Sequence, residues 1–542
     1  MDAASDITNG GPGRSGNGTT CVTPMVDREE TDKGGKCCRR LKCPPFRVII
    51  TVLACFFVQL VLGISYTTGN VLPYVTSYLR NVTGETSLDY SSALWIDNTT
   101  WIVVYLILPF VGLLDRRVSH RLLLFVGVAA NAISFFGTYW ALQASFALTV
   151  VIRGAFHGIG QAILWPLPVN LAIGWFPKRK GSAGACVIMG FGGGAFVWNQ
   201  IVTSWINPHN LQPDLTVNDE MYFTQREVLD NVPTCHLLLG GILTGILLVC
   251  VASMAYPPTA DKNEARGNTL VVEVEKPEKE DSADDVTKAP FQNSSYSSND
   301  NDDRDVGISF ISQDQHKPAD KASPDYIPDY TPLEVIQSRG AWTVWFINIG
   351  MGFGITFIWA FYKAYGQTFI HDDHLLALIG SFSSVFNCIG RPIWGLLADK
   401  IGIQTCLMVS QSALLVSMAT LVVCEHAGAA MFFVWVCLIF FAFSGYYTVE
   451  IPLVFTMFGA RCSTFSIGFV YCSGVIYMFC TTFVAAAAKD AFGWRGVFLV
   501  GAGFIFFGLL CNASMRLDCG HPIPAHMKRD LFSGTRTRTR RP

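Results

Sequence analysis

Charge is scarce in this 542-residue chain: Asp, Glu, Lys and Arg together make up 15% of it, against 51% hydrophobic residues. With a mean hydropathy of +0.36, that excludes an ordinary soluble globule and fits a polytopic membrane protein. The net charge of −2 selects no partner, because the sign changes from segment to segment. Cys-x-x-Cys spacing is absent from the 17 Cys, which fall mostly singly in apolar runs and read as small helix-packing residues. His371-Asp-Asp-His374 has no Cys beside it, so no metal site is read there. The glycines Gly181, Gly184, Gly190, Gly192, Gly193 and Gly194 are followed by no Gly-Lys-Ser/Thr, which argues against a phosphate loop and ATP-driven work. They let helices approach and slide instead. No Ser-His-Asp arrangement points to an enzyme, and no cofactor or nucleic-acid partner is implied.

What is present is a series of apolar runs of about 20 residues, the length that crosses a bilayer. Twelve spans are expected, at 46–68, 93–114, 121–142, 147–169, 183–205, 233–256, 341–366, 375–397, 402–424, 428–451, 463–486 and 495–516. A polar, Gly-rich tail precedes them with no cleavable leader evident, and Lys36, Arg39, Arg40 and Lys42 stand before the first. The fold class is therefore an all-α membrane protein of two six-helix bundles. The expected domains are a disordered cytosolic tail 1–45, a bundle 46–256, a disordered acidic linker 257–339, a bundle 340–516 and a basic tail 517–542.

Arg116, Arg117, Arg121, Lys178, Arg179, Lys180 and Lys400 fall on the side of the N-terminal cluster, so both termini are expected in the cytosol. On the other side lies the sequon Asn81-Val-Thr83, expected to carry a glycan. Asn98-Thr-Thr100 lies too close to span 2, and the sequons at Asn17 and Asn293 are cytosolic. Cys37, Cys38 and Cys43 sit beside the membrane, where either palmitoylation or free thiols are compatible with the sequence.

Residues that carry chemistry stand out because charge in a span is costly. Arg391 lies eight residues before Asp399, about 12 Å into the helix at 1.5 Å per residue. Asn387 is one turn away on the same face. A guanidinium's planar fork suits a carboxylate; the alternative is a structural arginine bound to carbonyls or an acid. Arg153, His157 and Gln161 in span 4 form a polar stripe at i, i+4, i+8, fit for gating or proton exchange or for packing alone. Lys363, near the end of span 7 with Trp359, Tyr362 and Tyr365, either snorkels to the interface or adds a second cation to a cavity. Glu450 in span 10 either pairs with Arg391 or is a solvated residue at the inner mouth.

The halves echo each other. Span 2 runs into Gly112-Leu-Leu-Asp115-Arg116-Arg117, and span 8 runs into Gly395-Leu-Leu-Ala-Asp399-Lys400. These turns resemble the loop motif of the major facilitator superfamily, and Arg153-x-x-x-x-Gly158-x-Gly160 is similar to its second signature. Four segments resemble the oxalate:formate antiporter-like branch, close to the monocarboxylate transporters: Gly174-Trp-Phe-Pro-Lys-Arg-Lys-Gly181, Thr331-Pro-Leu-Glu-Val335, Lys363-Ala-Tyr-Gly-Gln-Thr-Phe369 with Asp372-Asp373, and Gly390-Arg-Pro through Gly402.

The resemblance implies the twelve-helix facilitator fold and transport of small carboxylates by alternating access. Arg391 matches the span-8 arginine that holds the substrate carboxylate in that branch. The second cation of the bacterial oxalate carrier falls at Gly474 here, and the acid that precedes the arginine by four in proton-coupled monocarboxylate transporters is Asn387. Their span-1 lysine is replaced near Tyr74. A small monocarboxylate is thus the expected substrate, unless Lys363 or Arg153 supplies the second charge, with a proton or counter-anion as a partner, in the plasma membrane or an organelle. The alternatives are a facilitator of a neutral solute such as a sugar or amino acid, and a non-transporting sensor acting through the acidic linker.

Overall fold

The structure, a computed structural model, describes residues 45–176, 180–257, 330–458 and 463–515. Lys178, Arg179, Cys37, Cys38, Cys43, both tails and most of the linker lie outside the described residues. Eleven helical stretches among the described residues are long and apolar enough to cross a membrane: Phe46–Asn81, Tyr90–Gly112, His120–Ala144, Phe146–Trp175, Ala183–Ile206, Arg226–Ser253, Arg339–Gly366, Asp373–Ile401, Ile403–Ala427, Ala429–Phe458 and Phe465–Ser514. The last runs for 50 residues, about 75 Å if straight and more than twice a hydrocarbon core of about 30 Å. It reverses at Gly493, with φ 66° and ψ −167°, a conformation open essentially to glycine alone. The described chain therefore makes twelve spans, the eleventh over 465–492 and the twelfth over 494–514.

Spans 1–6 form one half and spans 7–12 the other. They meet where span 5 packs on span 8, span 1 on span 7 and span 2 on span 11. Large apolar side chains face outward, Phe46, Trp140, Val249, Leu396 and Phe492 each more than 60% exposed, a surface suited to lipid. A short antiparallel hairpin, β1 (Leu215–Val217) and β2 (Glu220–Tyr222), lies between spans 5 and 6 and marks one face, the hairpin face. The turns after spans 2 and 8 mark the opposite, motif face.

Several boundaries differ from expectation. Span 1 does not end at 68 but continues to Asn81, because its polar second half bonds to its own helix and to span 5. Thr76 and Ser77 donate to Leu72 O and Pro73 O (2.7 and 2.6 Å), and Asn70 donates to Thr203 Oγ1 (2.9 Å). Asn81 is thus the exposed last residue of a helix, and its Nδ2, the atom a glycan would need, donates to Ser77 O and Phe223 O. Asn98 is buried against Thr482.

Span 10 continues past Pro452 to Phe458, so Glu450 lies deeper than a helix ending at 451 places it. The linker's last residues are ordered: Thr331 and Glu334 close a capping box on the helix Pro332–Gln337.

Candidate functional site

Arg391 stands where the two halves meet. Span 8 brings it against span 5, and a Cβ at residue 192 would lie 2.8 Å from Asn387 Oδ1 and 3.2 Å from Arg391 Nε. Gly192 therefore makes the room that the arginine occupies. Nε donates to Asn387 Oδ1 (3.2 Å), and one terminal nitrogen reaches Tyr66 Oη of span 1 at 3.5 Å. The side chain is half-buried, and no described carboxylate forms an ion pair with it. A guanidinium in this setting keeps donors in its fork for an anion.

Aromatic rings wall the site. Tyr66 packs at 5.1 Å on Phe191, 5.8 Å on Trp359 and 6.1 Å on Phe443, and Trp101 lies 5.5 Å from Trp359. Tyr105 of span 2 stacks on Tyr471 (6.0 Å) and exchanges a 2.8 Å hydrogen bond with Tyr477. A Cβ at residue 474 would stand 2.3 Å from the Tyr105 ring. The position where a second cation would sit in span 11 is thus filled by a tyrosine from the opposite half. Gly474→Val is expected to push Tyr105 aside and to destabilise the protein by about 1–3 kcal/mol, as overpacking does. Tyr105→Ala in the same chain should restore part of that loss, measured by thermal unfolding of the purified variants.

Glu450 meets neither expectation held for it. It does not pair with Arg391 and is not solvated, being 2% exposed. Its Oε1 lies 2.9 Å from the Tyr446 hydroxyl, which is also 2.8 Å from Asn348 Oδ1.

Lys363 is not beside Arg391. It is fully buried on the hairpin face, 2.8 Å from Asp373 Oδ1, and it donates to Asn70 Oδ1 (2.8 Å) and Tyr74 Oη (3.0 Å) with its ammonium 4.1 Å from the Tyr74 ring. Asp373 also accepts from Tyr74 Oη and from Asn207 Nδ2 (3.0 Å). Eighteen residues of span 8 separate Asp373 from Arg391, about 27 Å at 1.5 Å per residue, so Lys363 and Arg391 cannot hold one small anion between them. Of its aromatic neighbours, only Trp359 reaches the Arg391 cluster. Tyr362 packs toward Gly69 and Gly380, and Tyr365 packs on Phe369, Phe432 and Phe498.

A second buried ion pair lies on the same face. Lys489 of span 11 donates to Glu220 Oε1 of β2 at 2.6 Å, and Trp494 Nε1 donates to Asp219 O at 2.8 Å. Burial raises the Glu220 carboxyl above its ordinary range, with Lys489 pulling the other way. Hydrogen bonds and an ion pair thus stitch the halves together on the hairpin face. No hydrogen bond or ion pair joins them at the motif face among the described residues.

The span 4 stripe divides. His157 Nε2 and Gln161 Oε1 meet Ser65 Oγ (3.2 and 2.9 Å), whereas the Arg153 guanidinium lies 4.3 Å from the Phe135 ring centroid. At the motif face, Asp115 takes His120 Nδ1 at 2.7 Å as its partner. Arg116 lies in the last turn of the helix ending at Arg117, a Cβ at Gly112 would meet nothing within 4 Å, and one at Gly395 would meet only Thr448 at 3.8 Å. Asp399 and Lys400 are exposed.

The sequence pattern of the Major Facilitator Superfamily matches residues 51–268 and 344–528, most of both halves. The chain belongs to the Major Facilitator Superfamily. It is a multi-pass membrane protein of a transporter family, with the facilitator fold. It is 23% identical over 415 residues to apicoplast pyruvate carrier 1 of Toxoplasma gondii, covering 66% of this chain and 69% of that one. It is 25% identical over 202 residues to the oxalate:formate antiporter of Oxalobacter formigenes, covering 37% of this chain and 48% of that one. Its fold is similar to the crystal structure of a D-xylose-proton symporter, with a TM-score of 0.59 at 12% identity over 88% of this chain and 98% of that one.

Lys363, Asn387 and Arg391 were visible in the sequence as polar groups within apolar runs. Tyr66 and Tyr105 were not, because a tyrosine carries no such signal; only the meeting of the halves singles them out. Asp373 stood in the sequence within the Asp372-Asp373 pair, but nothing there gave its partner Lys363.

Proposed function

We propose that this protein carries small monocarboxylates across a membrane by alternating access, with Arg391 gripping the carboxylate. The observation that carries the reading is that Arg391 is half-buried at the meeting of the halves, without an acid partner among the described residues, under a wall of aromatic rings. One fork binds one carboxylate. Tyr105 occupies the place of a second cation and Lys363 is committed to Asp373, which disfavours small dicarboxylates. The names of the two sequence relatives, a pyruvate carrier and an oxalate:formate antiporter, support carboxylates as the class.

In this reading the hairpin face is external and the termini face the cytosol, following Arg116, Arg117, Arg121 and Lys400. The conformation described is closed outside, latched by Asp373 with Tyr74 and Asn207 and by Glu220 with Lys489, with no such latch at the motif face among the described residues. Rocking the halves must break these contacts and form others near the Asp115 and Asp399 turns. Purified carrier in liposomes tests the substrate. Unlabelled pyruvate and formate are expected to compete with labelled pyruvate at least about tenfold better than oxalate or xylose, a preference of about 1.4 kcal/mol or more. Competition by xylose and not by pyruvate would favour a neutral-solute facilitator.

A further inference from the structure

The N-terminal half holds a polar site that carboxylate binding does not use. It is a cavity of about 60 Å³, room for a few water molecules. Asp97 of span 2 and Arg153 of span 4 both line it, with Thr68 of span 1. Asp97 Oδ1 accepts from Thr68 Oγ1 at 2.9 Å, and its Oδ2 is buried without a hydrogen bond. Arg153 lies in a π-helical turn, Val150–Ala155, a distortion frequent at functional sites. Its guanidinium rests on Phe135 and forms no ion pair with a described carboxylate. Opposite charges therefore share one cavity without closing on each other.

The other elements around the cavity bring little charge. Span 6 contributes the Cys235 thiol and His236, whose Nδ1 lies 3.0 Å from Val232 O. Spans 1, 3 and 5 contribute only hydroxyl and apolar groups to its lining. His157, one turn beyond Arg153, is turned to Ser65.

The geometry points to Asp97 as the site of a co-transported proton, a role that rests on the carboxylate reading above. A hydronium in the cavity gives its proton to Oδ2, an O–H bond forms, and neutral water remains; release is the reverse. The protonated carboxyl is a weaker acceptor than the carboxylate, so the hold on Thr68 loosens.

Thr68 follows directly on a 3-10 break in span 1, Gly63–Thr67. Within that break Ser65 bonds the His157–Gln161 stripe and Tyr66 reaches Arg391. Three side chains within four residues thus tie the proton site, the stripe and the substrate arginine together. One anion on Arg391 and one proton on Asp97 make the carried pair electroneutral.

Infrared titration of the purified full-length protein tests the proton site without any substrate. A carboxylic-acid C=O band that titrates above the range of the exposed carboxyls is expected to lose one component in Asp97→Asn, a component that Asp97→Glu restores and Glu450→Gln, which removes another buried carboxyl, leaves in place. A band unchanged in Asp97→Asn, or that component lost in Glu450→Gln instead, overturns the assignment, and neither result depends on whether pyruvate is carried. In liposomes, Asp97→Asn should keep pyruvate–pyruvate exchange while proton-gradient-driven net uptake falls at least about tenfold. Equal loss of both would refute coupling through Asp97.

Discussion

Arg391→Ala protein that reaches the membrane in wild-type amounts is expected to take up labelled pyruvate about a hundredfold more slowly at low substrate. Loss of a charge-assisted, two-point contact removes about 3 kcal/mol, and each 1.4 kcal/mol is a factor of ten. Arg391→Lys should retain more, because the charge stays, yet lose about tenfold because an ammonium cannot reproduce the fork. Asn387 and Tyr66 orient the guanidinium, and Gly192 leaves it space. Fold is not at stake in the same way, since Arg391 has no acid partner among the described residues to leave stranded. Wild-type uptake by Arg391→Ala would remove the arginine from the substrate site.

Lys363→Met and Asp373→Asn are expected each to destabilise the state closed on the hairpin face by about 3–5 kcal/mol, because each leaves a buried charge without its partner. Asp373 would keep only Tyr74 and Asn207, and Lys363 only Asn70 and Tyr74. The double variant Lys363→Met with Asp373→Asn should recover most of the loss, since removing both charges together is often nearly neutral. Thermal unfolding of the three purified variants measures this. Single variants as stable as the wild type would mean that the pair is not formed in the resting carrier. Strong loss in the singles with recovery in the double, together with wild-type affinity for pyruvate in the double, separates a latch from a substrate ligand.

The twelve spans, the two halves and the paired turns were legible in the sequence because hydropathy over about 20 residues carries them. Arg391 and its neighbour Asn387 were legible for the same reason, as polar groups where apolar ones belong. Polar stretches that bond to their own backbone were not. Residues 70–77 read as lying beyond the end of span 1 at 68, yet Thr76 and Ser77 bond to their own helix and Asn70 to Thr203 of span 5. Pro452 read as the end of span 10, yet the helix continues through it, as bundled membrane helices tolerate. The roughly two further turns, to Phe458, decide whether Glu450 is at the mouth or buried.

Partnerships across the fold left no trace in the sequence. Lys363 and Asp373 are ten residues apart but face each other only because the turn between spans 7 and 8 folds back. Glu220 and Lys489 are brought together from different halves, as are Tyr105 and Gly474. The absent second cation was visible at Gly474; the tyrosine that takes its place was not.

The most direct measurement is an experimental structure of the carrier with pyruvate bound. Ligand density is expected with its carboxylate within hydrogen-bonding distance of the Arg391 guanidinium and the Tyr66 hydroxyl, between the aromatic rings, with Lys363 still paired to Asp373. Density at Lys363 with that ion pair broken, and an empty Arg391 fork, would contradict it.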